Sequence, residues 1–214
     1  MKKILILILS CRYSSYEFIS SEGIEKTWNS VTPPNIETYY YYGGCEKAEH
    51  NDKEIHLTSR DDYEFITHKT IECLEYALHN FDFDYIFRTN SSSYIYKEGL
   101  NKWLSDKPSN EFYSAVVGDY HGVKFGSGSG YTLSRDLVEK ITSNKSKIEM
   151  NTFDDVAVGK FLNMEILPAP RKDTGCLTFI DYEVDKHFHW RCKCDQDRRI
   201  DVQHMQNIHK LIQG

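Results

Sequence analysis

The run Lys3 to Leu9 (KILILIL) constrains this chain more than any other feature. Consecutive aliphatic residues without polar alternation can be satisfied only by burial on both faces. Such a strand belongs in the middle of a mostly parallel sheet with helices on either side. A competing reading starts from MKKILILILSC, where two lysines, a short apolar run and Cys11 imitate a lipoprotein signal and would make the protein lipid-anchored at Cys11. The run is short for a signal core and rich in β-formers, so the strand is favoured. No later stretch is long enough to span a membrane, and a cytoplasmic location is expected.

The pattern downstream repeats strand and helix. Ser15 to Trp28 carries Phe18, Ile19, Ile24 and Trp28 at near-helical spacing, Pro33-Pro34 stops it, and Ile36 to Tyr42 reads as a strand. A short strand at Ile55 to Leu57 precedes a helix over Asp62 to Asn80, and a strand at Asp84 to Arg88 follows. This order implies an α/β fold, three layers around a central, mostly parallel mixed sheet, with ligands beyond the carboxyl ends of its strands. Further along, the chain reads as a helix at Glu98 to Leu104, a strand at Phe112 to Val117, a glycine-serine loop, and helices at Ser134 to Ile141 and Asp154 to Leu162. A strand at His187 to Cys192 and a closing helix at Val202 to Ile212 complete it. No repeat or flexible linker divides the 214 residues, so one domain over 1–214 is expected.

A net charge of −6 argues against nucleic acid as a partner. The six cysteines lack the spacing of a disulfide scaffold, so reduced thiols are expected, and Cys192-Lys-Cys194 has no second pair to complete a zinc site. The run GSGSG lacks the strand, GxGxxG, helix order of a dinucleotide fold, so NAD is not expected.

Asp154 and Asp155, in FDDVAVGKFL, open an amphipathic helix about two dozen residues after the glycine-serine run. A carboxylate there suits a general base, although helix capping alone would also favour Asp in a first turn. In order, IEKTW (Ile24 to Trp28), DDYEFITHKT (Asp61 to Thr70), DYIFR (Asp84 to Arg88), FGSGSGYTLS and Asp154-Asp155-Val156 with Gly159 resemble the motifs of the β-1,3-glycosyltransferase family that includes galactosyltransferases and Fringe.

The resemblance implies a GT-A fold, an inverting hexosyltransferase and a nucleotide-sugar donor, most simply a UDP-hexose, with a glycan acceptor. It implies Asp155 as the general base and Asp154 as a helix cap or acceptor ligand. Ser127, Gly128, Ser129 and Gly130 would floor the acceptor and sugar site. Ser10, Cys11, Arg12 and Tyr13 would meet the nucleotide, with Asp62 at base or ribose, and Arg88, Thr89, Asn90, Ser91 and Ser92 would lie along the donor.

Where the family carries KTDDD, this chain has Arg88-Thr89-Asn90-Ser91-Ser92-Ser93. Mn²⁺ or Mg²⁺ would then be held weakly and only with the nucleotide, by Asn90, Ser92, His187 or His189. Otherwise cationic side chains replace it, or catalysis is lost and a nucleotide- or sugar-binding descendant remains. Asp82-Phe83-Asp84 is a literal DxD but precedes its strand, on the side away from the expected donor. In His187-Phe188-His189-Trp190-Arg191, alternation places His187, His189 and Arg191 on one face, either as a diphosphate clamp or as a solvated edge. Lys193, Arg198 and Arg199 would add positive potential or simply face solvent.

Overall fold

The computed structural model describes residues 1–12 and 14–214. In chain order its elements are β1 (Ile4–Leu9), α1 (Ser14–Phe18) continued by a π-helical turn Ile19–Ile24, β2 (Ile36–Tyr42), β3 (Glu49–His50) and β4 (Glu54–His56). A 3₁₀ turn, Tyr63–Phe65, leads into α2 (Ile66–Asn80). Then come β5 (Tyr85–Asn90), β6 (Ser93–Ile95), α3 (Lys97–Leu104), β7 (Tyr113–Tyr120), β8 (Val123–Ser134), α4 (Arg135–Ser143) and α5 (Asp154–Leu162). The chain closes with β9 (Leu167–Pro168), β10 (Arg171–Asp173), β11 (His189–Arg191) and α6 (Arg199–Gln213).

The main sheet runs β3-β4-β2-β1-β5-β8-β7-β9, and a small sheet runs β10-β11-β6. β1 is central and parallel to β2 and β5, while β8 is antiparallel to both β5 and β7. The strand reading of the aliphatic run holds for a simple reason: its side chains alternate between two cores. Leu5 and Leu7 join Ile71, Leu74 and Ala77 of α2, whereas Ile4, Ile6 and Ile8 join Ile19, Ile24, Trp28 and, from α6, Met205 and Ile208. Burial of each such side chain contributes about 1.5–3 kcal/mol. Among the described residues no helix is long and apolar enough to cross a membrane.

Two expectations change. The glycine-serine run is not a loop but the middle of β8, the longest strand. Pairing of Gly126 with Val117 of β7 and of Gly130 with Thr89 of β5 fixes its two ends, a register irregularity falls between them, and its glycines serve close approach: a Cβ on Gly128 would lie 2.9 Å from Asp155 Oδ2 and 3.0 Å from an Arg88 nitrogen. Gly159 of α5 does the same in reverse, since a Cβ there would lie 2.5 Å from Phe125 Cβ. Together these glycines let the helix that carries Asp155 rest directly on β8.

The second change concerns the thiols. Cys176 and Cys194 form a disulfide, with Cα atoms 4.8 Å apart. Parallel pairing of β10 with β11 carries the two segments that follow them side by side, a tertiary neighbourhood that cysteine spacing does not reveal.

Candidate active site

A cleft of about 540 Å³ opens beyond the carboxyl ends of β1 and β5, between β8, the start of α5 and the segment after β11. From the first strand Ser10 and Cys11 line it, and from the strand-β5 side Arg88, Asn90, Ser91 and Ser92. Ser127, Gly128 and Ser129 of β8 form another wall, and Asp62, Asp154, Asp155 and Arg191 complete the sequence-derived set. Tyr13 lies outside the described residues.

Five expected residues do not line the cleft. Arg12 turns away, its guanidinium 4.9 Å from the Tyr42 ring centre and 3.2 Å from His56 Nδ1. Thr89 is fully buried and donates to the Ser129 carbonyl at 2.6 Å, and Gly130 is its partner across β5 and β8. His187 precedes β11 and lies edge-on to Trp190, 3.9 Å from Glu183, its pKa lowered by burial. His189 is buried beneath β8, with Nε2 3.1 Å from Ser93 Oγ. Burial first, then Arg171 and Arg191, push its pKa well below the ordinary value, so the ring is neutral. The alternation that grouped His189 with Arg191 overlooked the pairing of the three-residue β11 with β6, which draws the His189 end inside. Asp82 and Asp84 stand at the opposite end of β5, where they bind the side chain and backbone amide of Lys3.

At the acidic end, the two adjacent aspartates of α5 have different surroundings. Asp154 is buried: its Oδ2 lies 2.6 Å from an Arg88 nitrogen and accepts from Thr70 Oγ1 at 3.0 Å. The guanidinium also donates to Tyr41 Oη, from Nε at 3.2 Å, and to the Gly128 carbonyl. Burial, the largest influence on Arg88, opposes its charge, but Asp154 together with Tyr41, Tyr131 and Asp155 outweighs it and holds the guanidinium protonated. For Asp154, burial pushes the carboxyl up, Arg88 opposes this, and the charge of Asp155 adds to the rise. Asp155 instead faces the cleft. Its carboxylate accepts from the Gly128 amide at 2.7 Å and from the Val156 amide, at the helix N-terminus, at 2.9 Å. Neither aspartate occupies the cap position, which falls to Phe153.

At the end of the cleft beside β1 and β2, buried Lys69 donates to the Ser10 carbonyl at 2.9 Å and to Asp61 Oδ1 at 2.6 Å, and Asp61 also accepts from the Gly43 amide at 2.9 Å. This ties the ends of β1 and β2 to α2. Asp62 Oδ2 pairs with Arg60 at 2.6 Å, while its Oδ1 is buried without a hydrogen-bond partner. Sequence reasoning assigned Lys69 no role, although it lies in the ITHKT segment.

The turn after β5 is neutral and turned inward. Asn90 Oδ1 accepts from the Ser92 amide at 3.1 Å and from Ser93 Oγ at 3.4 Å. Ser92 Oγ accepts from the Arg198 guanidinium. With Arg191 and Lys193, Arg198 forms a basic wall of the cleft. The sequence left Lys193 and Arg198 open between added positive potential and solvated charge.

A divalent ion, which a fold of this kind can carry, does not fit the donors here. Among the described residues no three His, Cys, Asp or Glu side chains are placed to hold one. The carboxamide oxygen of Asn90 already serves its own turn, and both histidines lie elsewhere.

The chain matches no protein-family model, and no curated protein matches it. Solved structures do. A glycosyltransferase involved in the glycosylation of the major capsid of PBCV-1 superposes with a TM-score of 0.59 at 13% identity, over 95% of this chain and 99% of that one. The galactosyltransferase LgtC, in complex with donor and acceptor sugar analogs, gives 0.51 at 11% identity over 97% and 94%. The mannosyltransferase PcManGT from Pyrobaculum calidifontis, in complex with GDP-Man and Mn²⁺, gives 0.50 at 12% over 79% of this chain and 55% of that longer one. At these identities the likeness is one of fold, and the fold is GT-A.

Proposed function

We propose that this protein is an inverting glycosyltransferase that moves a hexose from a nucleoside diphosphate, with UDP as the first candidate, to a carbohydrate hydroxyl, and that Asp155 is the general base. The observation that carries the reading is the placement of the Asp155 carboxylate on the cleft, fixed by the Gly128 and Val156 amides, across from the strand ends where a GT-A fold receives its donor. The acceptor oxygen forms the new bond to the anomeric carbon as the bond from that carbon to the diphosphate breaks. The hydroxyl proton passes to Asp155, and the electron pair stays on the departing phosphate oxygen.

Acceptor recognition falls to the rim beside Asp155, where Tyr63 and Tyr120 flank Phe153, with ring centres 5.9 and 6.0 Å from it. Tyr63 is 71% exposed, an apolar face suited to the flat side of a sugar ring. The resemblance to β-1,3-transferases supports this reading. The neutral turn Asn90 to Ser92 favours the other one, a binding protein that no longer turns over. The Cys176–Cys194 bridge also favours an oxidising compartment over the cytoplasm.

Melting the protein with UDP, GDP, CMP and a set of UDP-sugars, followed by product analysis with simple glycan acceptors, tests the proposal. A ligand at 100 times its Kd stabilises by about 2.7 kcal/mol. Stabilisation by a nucleotide sugar together with transfer supports the enzyme. Stabilisation without transfer or donor hydrolysis supports the binding protein, and no response to any nucleotide overturns both.

A further inference from the structure

We propose that Arg198, flanked by Arg191 and Lys193, does the work of the divalent ion in this cleft, so that the protein holds its nucleoside diphosphate without metal. This rests on the transferase reading above. The guanidinium of Arg198 sits on Ser92 Oγ, in the turn at the carboxyl end of β5 where the donor phosphates are to lie. Three features fix it there. Its Nε and Nη2 bind Asp201 Oδ2 at 2.9 and 2.8 Å. Asp201 is fully buried, and its other oxygen accepts from the Cys194 amide at 2.7 Å. The guanidinium carbon also lies 5.3 Å from the Tyr16 ring centre.

A purely structural ion pair would leave nothing for a ligand. Among the described residues, however, no hydrogen bond engages Nη1 of Arg198, and the side chain lines the cleft. Arg191 and Lys193 continue the wall, and their acidic partners leave them available. Arg191 lies 3.7 Å from Asp173, beyond hydrogen-bond distance, and the carboxylate that binds Lys193, Asp195, is largely exposed. Guanidinium groups recognise phosphate oxygens through paired N–H donors, and a preplaced cation stabilises the charge that develops on the leaving diphosphate without having to be recruited. The neutral turn is the other half of the arrangement. A carboxylate at Asn90 or Ser92 would pair with Arg198 and cancel the charge that the donor needs.

Calorimetry of UDP and GDP binding to the full chain, in EDTA and again in Mn²⁺, tests this. The wild type should bind its preferred diphosphate with affinities that agree within about threefold in the two buffers, since the turn after β5 offers Mn²⁺ no carboxylate and no three acidic, His or Cys side chains among the described residues converge to hold it. Arg198→Gln should weaken that binding in EDTA by about 10- to 150-fold and leave the matching nucleoside unchanged, as expected for a charge-assisted bond to phosphate. Lys193→Gln, at the surface, should act in the same direction by a smaller factor, and it carries the test if Arg198→Gln does not fold. Wild-type binding confined to Mn²⁺ overturns the inference alone, as do an unchanged affinity in a folded Arg198→Gln and an equal loss for nucleoside and diphosphate. Absence of UDP and GDP binding in both buffers overturns the transferase reading and this inference together.

Discussion

Two arginine–aspartate pairs stand at opposite sides of the same cleft, and their surroundings give them different work. In Arg88–Asp154 both side chains are at most 5% exposed, and Tyr41, Thr70 and Gly128 take up donors and acceptors on either side. In Arg198–Asp201 only the carboxylate is sealed, while the guanidinium remains 22% exposed on the cleft wall. A pair sealed from solvent, with its donors and acceptors taken up, fixes the backbone around it. A pair with one open partner holds a charge in place for something else. Asp155 follows the same logic with the sign reversed: backbone amides anchor it from behind, and its face is left to the cleft.

The largest expected effect separates Asp155 from its neighbour. Asp155→Asn should cut transfer by about 10²- to 10⁴-fold, the usual worth of a positioned base, with diphosphate affinity unchanged in calorimetry. Asp154→Asn should cost less turnover and more stability, because its carboxylate answers a buried arginine. The opposite order in turnover would make Asp154 the base and erase the distinction between closed and open carboxylates.

Next in size is the contrast between the pairs themselves. Arg88→Met strands a buried Asp154 and should cost about 3–5 kcal/mol in denaturant unfolding. Arg198→Gln should cost less than half of that, since Asp201 keeps the Cys194 amide and the lost group faces the cleft. Equal losses in the two variants would show that the Arg198 pair is as structural as the other and would leave it no role toward a ligand.

The legible parts of this molecule were those that a local pattern specifies. β1 is where six aliphatic residues demand two-sided burial, and α5 opens at Asp154 because an apolar helical stretch begins there. The glycine-serine run misled because Gly and Ser carry no strand signal of their own. Its path comes from pairing at its ends, Gly126 with Val117 and Gly130 with Thr89, and from the close approach of Arg88 and Asp155 to Gly128. The basic wall was harder still. Arg198 lies in a run, DQDRR, that composition alone assigns to solvent, and its contact with Ser92 spans 106 residues. The neutral turn pointed toward it, since a phosphate site stripped of carboxylates calls for cations from another segment, but the turn alone does not say which cations arrive.

The smallest expected effect comes from a third kind of buried cation, one with no acid against it. Lys97 is 2% exposed, donates to Asn29 Oδ1 at 2.8 Å and Thr32 Oγ1 at 3.0 Å, and lies 5.4 Å from the Trp28 ring centre. Burial lowers its pKa from 10.5 to about 8, with Glu25 and Glu98 too weak to restore it. Here a lysine is depressed in the folded state, so between those two values the unfolded chain holds the extra proton and stability rises with pH. Below the folded value the whole penalty is present. From pH 7.5 to 9.5 this one group should add about 2 kcal/mol to the unfolding free energy. Above that window the buried tyrosines, raised by burial in their turn, oppose the trend, because the unfolded chain ionises first. Lys97→Met should remove the rise and make the protein more stable than wild type at pH 7.5. Urea melts at the two pH values decide the point: a slope that survives the substitution would assign it to other groups and show that polar contacts alone keep a buried cation charged as well as a carboxylate does.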